Sequence, residues 1–367
     1  MCAPPTGART ALGQPLAEAA ILETARGGML RRGLALGRAD AAVVTNISVD
    51  HFGEYGIHDL DDLAGVKLTV ARAVADTGLL VLNADDPVLQ RQAPVFAGQR
   101  LAWFALDGAH PRLQAHRAEG GTTAGVDDGR LWLHVEGVAH DLGAVADMPL
   151  TLGGQAGYNI ANAAAAAATA SGLGVTPPVI ASVLRRFGDA RQDNPGRLQR
   201  WRFAAMEVVV DYAHNPDGLR GLLQAVGADR RDGRLGIVVG HAGNREEADL
   251  RAVAATAAAF APERVLLKDV ESYLRGREAG EVARIMHDEL LQRGLAAGAI
   301  GHCPDEVDAA RSLLAWGRDG DLLVLPTFDQ AARARVEWML ERMLGDNWRP
   351  GDPLPDLPPP DGAVPDE

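Results

Sequence analysis

The chain has 367 residues, 47% apolar and 23% charged, with a formal net charge of −13. That length suggests two or three domains in an ordinary globular composition, and the charge argues against an electrostatic nucleic-acid binder, which would show a basic stripe. No apolar run approaches the roughly 20 residues that cross a bilayer, "MCAPPTGART" lacks a signal pattern, and Cys2 and Cys303 cannot build a disulfide framework; these features predict a cytoplasmic, reduced protein with no membrane partner.

Short β runs alternate with helical stretches, the pattern of parallel α/β units. The first strands are expected at "AAILET" (19–24), "AAVVTNI" (41–47), "LLVLNA" (79–84) and "LAWFAL" (101–106). Between the second and third, "DLDDLAGVKLTVARAVAD" reads as one helix, with acids in its first turn and Leu63, Val66, Val70 and Val74 at helical spacing. "GRLWLHVEGVAHDL" alternates as a hairpin. "GYNIANAAAAAATASGLG" is a small-residue helix stopped by glycine, and "PPVIASVLRRF" is another with proline in its first turn.

The pattern then restarts. "MEVVVDYAH", "LGIVV", "RVLLKDV" and "DLLVLPT" read as strands, with "NPDGLRGLLQAVG", "EEADLRAVAATAAAFA", "EVARIMHDELLQRG" and "QAARARVEWMLERML" as helices. The fold class expected is therefore α/β, two doubly wound domains. Their bounds are 1–189 and 190–346, divided in the polar "GDARQDNPGR", and residues 347–367 read as a disordered Pro/Asp-rich tail.

Chemistry-bearing residues gather where strands end, and open α/β sheets bind ligands at the carboxyl ends of their strands. Glu23 closes the first run; Asn46, Asp50 and His51 close the next. "DYAHNPDG" places Asp211, His214 and Asn215 at a strand-to-helix junction, and "GHAGNRE" places Gly240, Gly243, Asn244 and Arg245 at the following one. Helix N-termini suit phosphate, and carboxylate and imidazole groups suit a divalent cation. Each group has a plainer alternative: a surface carboxylate, an Asx-type turn, a tight glycine loop, or a helix start with Asn215 as N-cap and Pro216 first in the helix. A dinucleotide-binding oxidoreductase is disfavoured, because no G-x-G-x-x-G follows a strand with an acid about 20 positions on.

"LETARGGMLRRGL", "ADAAVVTNISVDHFG", "LAGVKLTVARAV", "LVLNADDP", "GYNIANAAAAA", "NPGR" and "DYAHNPDG" occur in the order seen in the Mur ligase superfamily. Through "ETARGG", "VLNADDP" and "YLRGRE" the chain most resembles the Mur-ligase-like half of cyanophycin synthetases, from about Ala19 to Leu344. The resemblance implies an ATP-dependent, ADP-forming ligase that joins a carboxylate to an amino acid through an acyl phosphate. It implies ATP and Mg2+ as cofactors, with Glu23 and His51 as magnesium ligands and Lys67 as the lysine that is carbamylated in many relatives. Asn159 and Asn162 match the pair that contacts adenine. Arg197 and Asp211 match residues that hold the nucleotide, with His214 and Asn215 facing the phosphates. Lys67, His214 and Arg197 thus carry the catalytic roles. Arg275 and Arg277 of "YLRGRE", with Asn244 and Arg245, fall where relatives bind the incoming amino acid, whose carboxylate a guanidinium fork suits.

The family's phosphate-binding loop, GxxGK[TS], has no match: the two lysines are Lys67 and Lys268, and neither follows glycine. Backbone N–H groups and a lysine normally cradle the phosphates in that loop. The expectations are a shortened copy of a longer ligase, a second polypeptide that supplies the loop, or a non-catalytic module keeping a nucleotide or amino-acid surface.

Overall fold

The computed structural model describes residues 13–14, 17–48, 55–229, 232–269 and 274–357. The chain forms two compact units that divide in sequence between Phe187 and Gly188. Both are α/β with mixed, mainly parallel sheets.

The first unit is built on β1 (Ala39–Val44), β2 (Val74–Asn83), β3 (Leu101–Asp107), β4 (Thr122–Asp127), β5 (Arg130–Val135) and β6 (Val138–Ala144), which lie in the sheet in chain order. The first four run parallel, and β4, β5 and β6 are antiparallel. Its helices are α1 (Arg26–Arg32), α2 (Leu60–Lys67), α3 (Pro87–Gln92), α4 (Pro111–Ala118), α5 (Gly157–Gly172) and α6 (Pro177–Leu184). Side chains alternate across a strand, and β2 shows the result. Leu79 and Val81 join a core with Phe104, Ile160 and the alanines of α5, whereas Leu80 and Leu82 join a second core with Leu63, Trp103 and Leu113. The small residues of α5 let it lie close on the sheet: a Cβ on Gly172 would stand 2.7 Å from Leu79 Cδ2.

Two expectations here are corrected. Residues 19–24 form no strand; they are irregular, and Ile21 is exposed. An apolar run becomes a strand only where a neighbouring edge accepts its hydrogen bonds, and among the described residues the ladder of β1 is to β2. The helix expected over 59–76 ends at Lys67, passes through a 3-10 stretch at Leu68–Ala73, and Val74 begins β2, paired with Ala39. The β-branched Thr69, Val70 and Val74 are weak helix formers, and the ladder takes the last of them.

The second unit holds β7 (Gln199–Phe203), β8 (Met206–Asp211), β9 (Leu235–Val239), β10 (Arg264–Lys268), β11 (Ile300–Cys303) and β12 (Leu322–Pro326) in the order β11-β10-β9-β12-β8-β7. All neighbours are parallel except the β7–β8 hairpin. The helices are α7 (Pro216–Ala225), α8 (Glu247–Ala258), α9 (Glu281–Gln292), α10 (Glu306–Trp316) and α11 (Gln330–Gly345). Trp201, Val208, Leu323, Leu313 and Met339 belong to one core, and Trp348, Leu354 and Leu357 pack against it. Residues 347–357 are thus ordered against the unit, unlike the disordered tail expected. The backbone of this segment is held by hydrogen bonds from Trp348 Nε1 to the Asp352 and Pro353 carbonyls and from Arg311 to the Pro355 carbonyl. Residues 358–367 lie outside the described residues. No described helix is long and apolar enough to cross a membrane.

Candidate active site

In the first unit the loop after β1 is held at three successive residues by side chains from elsewhere. Asn83, at the end of β2, donates to the Thr45 carbonyl at 2.8 Å. Lys67, the last residue of α2, donates to the Asn46 carbonyl at 3.0 Å. The Ile47 N–H donates to Asp86 at 2.5 Å, and the other oxygen of that buried carboxylate accepts the Val88 and Leu89 N–H groups and so caps α3. The neighbouring Asp85 accepts the Leu106 N–H at the end of β3. The run "NADDP" therefore ties together the carboxyl ends of three strands. Asp50 and His51, to which this loop leads, lie outside the described residues. Glu23 is exposed in the irregular stretch before α1. Asn159 is buried, with its amide donating to the Leu150 carbonyl at 2.8 Å, while Asn162 one turn on is exposed. Lys67 and Asn46 are brought together; the structure uses Asn159 to fix the start of α5.

In the second unit, β8 runs out at Asp211. Its buried carboxylate accepts the Leu198 N–H at 2.8 Å and the Ala213 N–H at 2.7 Å. Burial pushes this carboxyl above its ordinary range, against the opposing pull of the Leu198 N–H, the Arg197 charge, and the Ala213 and Tyr212 N–H groups. The Arg197 guanidinium stands 5.1 Å from the centre of the Tyr212 ring, and the His214 ring is 5.1 Å from Tyr212 on centroids. Asn215 caps α7, its side chain accepting from the Gly218 N–H at 2.7 Å, with Pro216 in the first turn. Arg197, Asp211, His214 and Asn215 therefore share one short stretch of the sheet's carboxyl edge.

The loop after β9 lies on the same edge. His241 is buried, and Asn244 and Arg245 follow it. Arg277 is turned to this loop: its guanidinium donates to the Gly243 carbonyl at 2.9 Å and the Arg245 carbonyl at 3.1 Å, and pairs with Glu281. A Cβ on Gly243 would fall 2.0 Å from the Leu274 carbonyl oxygen, so the loops at 243 and 274 touch backbone to backbone. Arg275 is exposed, with a φ of 46°. Of the two arginines expected to face an amino acid, one braces the glycine loop and the other is presented to solvent.

The model of the Mur ligase middle domain matches residues 11–170, and that of the Mur ligase glutamate ligase domain matches residues 196–326. Cyanophycin synthetase of Synechocystis sp. is 34% identical over 338 residues, which are 92% of this chain and 38% of that one. The chain belongs to the Mur ligase superfamily. It spans well under half the length of the cyanophycin synthetases it matches. Among solved structures, MurF of Acinetobacter baumannii superposes with a TM-score of 0.55 at 16% identity, covering 89% of this chain and 62% of that one. Mycobacterium tuberculosis folylpolyglutamate synthase, complexed with ADP and AMPPCP, gives 0.55 at 20% identity, covering 82% and 64%. At such identities the likeness is one of fold.

This Mur ligase chain also holds a residue that motif reading passed over. Lys268, at the end of β10, is wholly buried. Its ammonium pairs with Glu306, donates to the Pro326 carbonyl, and stands 3.8 Å from the centre of the Phe328 ring. Glu306 also accepts the Phe328 and Asp329 N–H groups at 2.8 and 2.7 Å. Burial pushes the Lys268 pKa down, and Glu306 opposes the shift. The one available signal was that Lys268 is one of two lysines among 36 basic residues. Among the described residues no three His, Cys, Asp or Glu side chains gather as a metal site. Mg2+ commonly takes one or two carboxylates and completes its shell with water and substrate phosphate; of the two residues expected to hold it, Glu23 is exposed and His51 lies outside the described residues.

Proposed function

We propose that this chain forms the nucleotide- and amine-handling part of a cytoplasmic, ATP-dependent amide ligase of the Mur and cyanophycin synthetase type. The substrate carboxylate attacks the γ-phosphorus of ATP and ADP leaves; the amino group of the incoming amino acid then attacks the acyl phosphate carbon, and phosphate leaves with a proton lost from the amine. Such chemistry rests on positioning and charge neutralisation. The observation that carries this reading is the edge at the end of β8, where buried Asp211 fixes the turn and Arg197 lies over Tyr212 beside His214 and Asn215.

Arg197 supplies positive charge to the nucleotide, and His214 and the capped start of α7 face its phosphates. Adenine contact falls to the exposed Asn162, with Asn159 holding the start of α5. Arg275, Asn244 and Arg245 receive the amino-acid carboxylate. Glu23 and His51 would hold Mg2+, which neutralises phosphate charge when bound. A carbamate on Lys67 would add a carboxylate-like group beside the loop at Asn46. The phosphate-binding loop, which this sequence does not contain, comes from another polypeptide segment.

The test is calorimetry of the whole chain with ADP and Mg2+. Binding with a Kd on the order of 1 mM, weakened by Arg197→Ala, is expected. Binding that Arg197→Ala leaves unchanged would overturn the placement of the nucleotide, and nanomolar binding by this chain alone would overturn the need for a separate loop. The missing GK[TS] also favours a second reading, a non-catalytic subunit that keeps the binding surface. It predicts ADP binding without turnover even when a P-loop-bearing segment of a relative is added.

A further inference from the structure

Lys268 touches more of the carboxyl edge than any local motif would require. Its aliphatic stem crosses Gly240, the first residue after β9: a Cβ there would stand 2.5 Å from Lys268 Cγ. Its ammonium meets Glu306 at the start of α10 and the Pro326 carbonyl at the end of β12. The ring above it, Phe328, lies 5.9 Å from Tyr212 in an edge-on arrangement and 6.4 Å from His241 on centroids. One buried cation thus contacts the ends of three adjacent parallel strands, β10, β9 and β12, and reaches the β8 turn through one aromatic ring.

Stability alone explains this poorly. Replacing a buried ion pair by apolar groups of similar volume is often neutral or stabilising, whereas removing one partner is costly. The residue type also stands out: 34 of the 36 basic residues are arginine (36 less two lysines). A planar guanidinium is a poor substitute where a compact ammonium sits between a carboxylate, a carbonyl and a ring face.

We propose that Lys268 is a positioning residue for the carboxyl edge of the second unit. Its ammonium, held by Glu306, the Pro326 carbonyl and the Phe328 ring, fixes the loops after β9 and β12 and, through Phe328, the Tyr212–His214 face offered to ligand. The ligand half of this inference rests on the function proposed above; the positioning half does not.

The experiment compares Lys268→Met with the double variant Lys268→Met/Glu306→Gln in the full chain. Three readouts are taken: thermal unfolding, imidazole proton signals of His214 and His241 (assigned with His→Gln variants), and ADP affinity with Mg2+. Lys268→Met alone strands the Glu306 charge and lowers the Tm; the double variant recovers most of that loss. In both, the His214 and His241 signals move, because the rings that shift them have moved, and ADP binds about tenfold more weakly. A double variant that regains stability together with wild-type imidazole signals would reduce the pair to a stabilising contact and overturn the proposal. Failure of the wild type to bind ADP would count against the function reading, and the imidazole signals would still decide the positioning. Should Lys268→Met not fold, Glu306→Gln alone gives the same signals, displaced if the proposal holds and unmoved if it does not.

Discussion

Asp86 accepts the backbone N–H of Ile47, 39 positions earlier in the chain, at 2.5 Å. The same carboxylate caps α3, so one side chain both starts a helix and fixes the loop after β1. Asp86→Ala removes the cap and leaves the Ile47 N–H without its acceptor. Loss of an N-cap costs about 1 kcal/mol and a buried unsatisfied donor roughly 1–3 kcal/mol. Urea unfolding of the variant is therefore expected to show a loss of about 2–4 kcal/mol. A loss below about 0.5 kcal/mol, the ordinary scatter of surface substitutions, would contradict this role.

Asp211 sets a pH dependence. Because burial raises its pKa in the folded state, the native protein holds this proton more tightly than the unfolded chain. Stability from this group is thus greatest below about pH 4, the ordinary carboxylate value, and falls as pH rises from there through the raised folded value. Above that value the cost of the buried charge is incurred in full. Asp211→Asn is expected to remove this slope, at the expense of one backbone N–H that loses its acceptor. Unfolding free energies measured across acid to neutral pH check it, and an unaltered slope in the variant is the contrary result.

Asn215 is a stabilising cap whatever else it touches. Its side chain serves the Gly218 N–H, and Pro216 fixes the first turn. Asn215→Ala is expected to cost about 1 kcal/mol and Asn215→Asp little, since aspartate caps equally well. Comparing the two by thermal unfolding separates capping from ligand contact: ADP affinity that falls in Asn215→Asp while stability is kept marks the second role.

Arg277 braces the loop after β9 through two carbonyls at once. Lysine cannot reproduce that planar fork, so Arg277→Lys is expected to loosen residues 243–246. Hydrogen exchange is the direct measurement, with faster exchange in that loop and little change in β9. Gly243→Ala should act at the same place, because its Cβ would collide with the Leu274 carbonyl.

What could be read in advance depended on range. The strands β3, β8, β9 and β12 and the part of β2 from Leu79 are dense apolar runs, and the Asn215-Pro216 cap is a local signal; both were legible. The strands β4 and β11 were not, because each carries a glycine that spatial neighbours demand. A Cβ on Gly125 would meet Gly108 at 2.9 Å, and one on Gly301 would meet Leu266 Cδ2 at 2.8 Å. The apolar run at 19–24 looked like a strand because its sequence says nothing about whether an edge is available. The order of Asp211, His214 and Asn215 at a strand end was visible from spacing. The contacts of Lys268 were not, since Glu306 lies 38 positions away and Pro326 lies 58 positions away. Arg277 was expected to face the amino acid through the resemblance of "YLRGRE"; its bonds to the Gly243 and Arg245 carbonyls were not legible, because those partners lie 34 and 32 positions away in another loop.

Trp348 meets Phe203 edge-on at 5.4 Å between ring centres and sits in the core with Leu354 and Leu357 alongside. An expression boundary drawn where α11 ends, at Gly345, would discard the indole and uncover the face of β7 beneath it. Anyone trimming this protein for crystallisation, or fusing a reporter behind it, should keep the chain through Leu357 and join new sequence beyond that point.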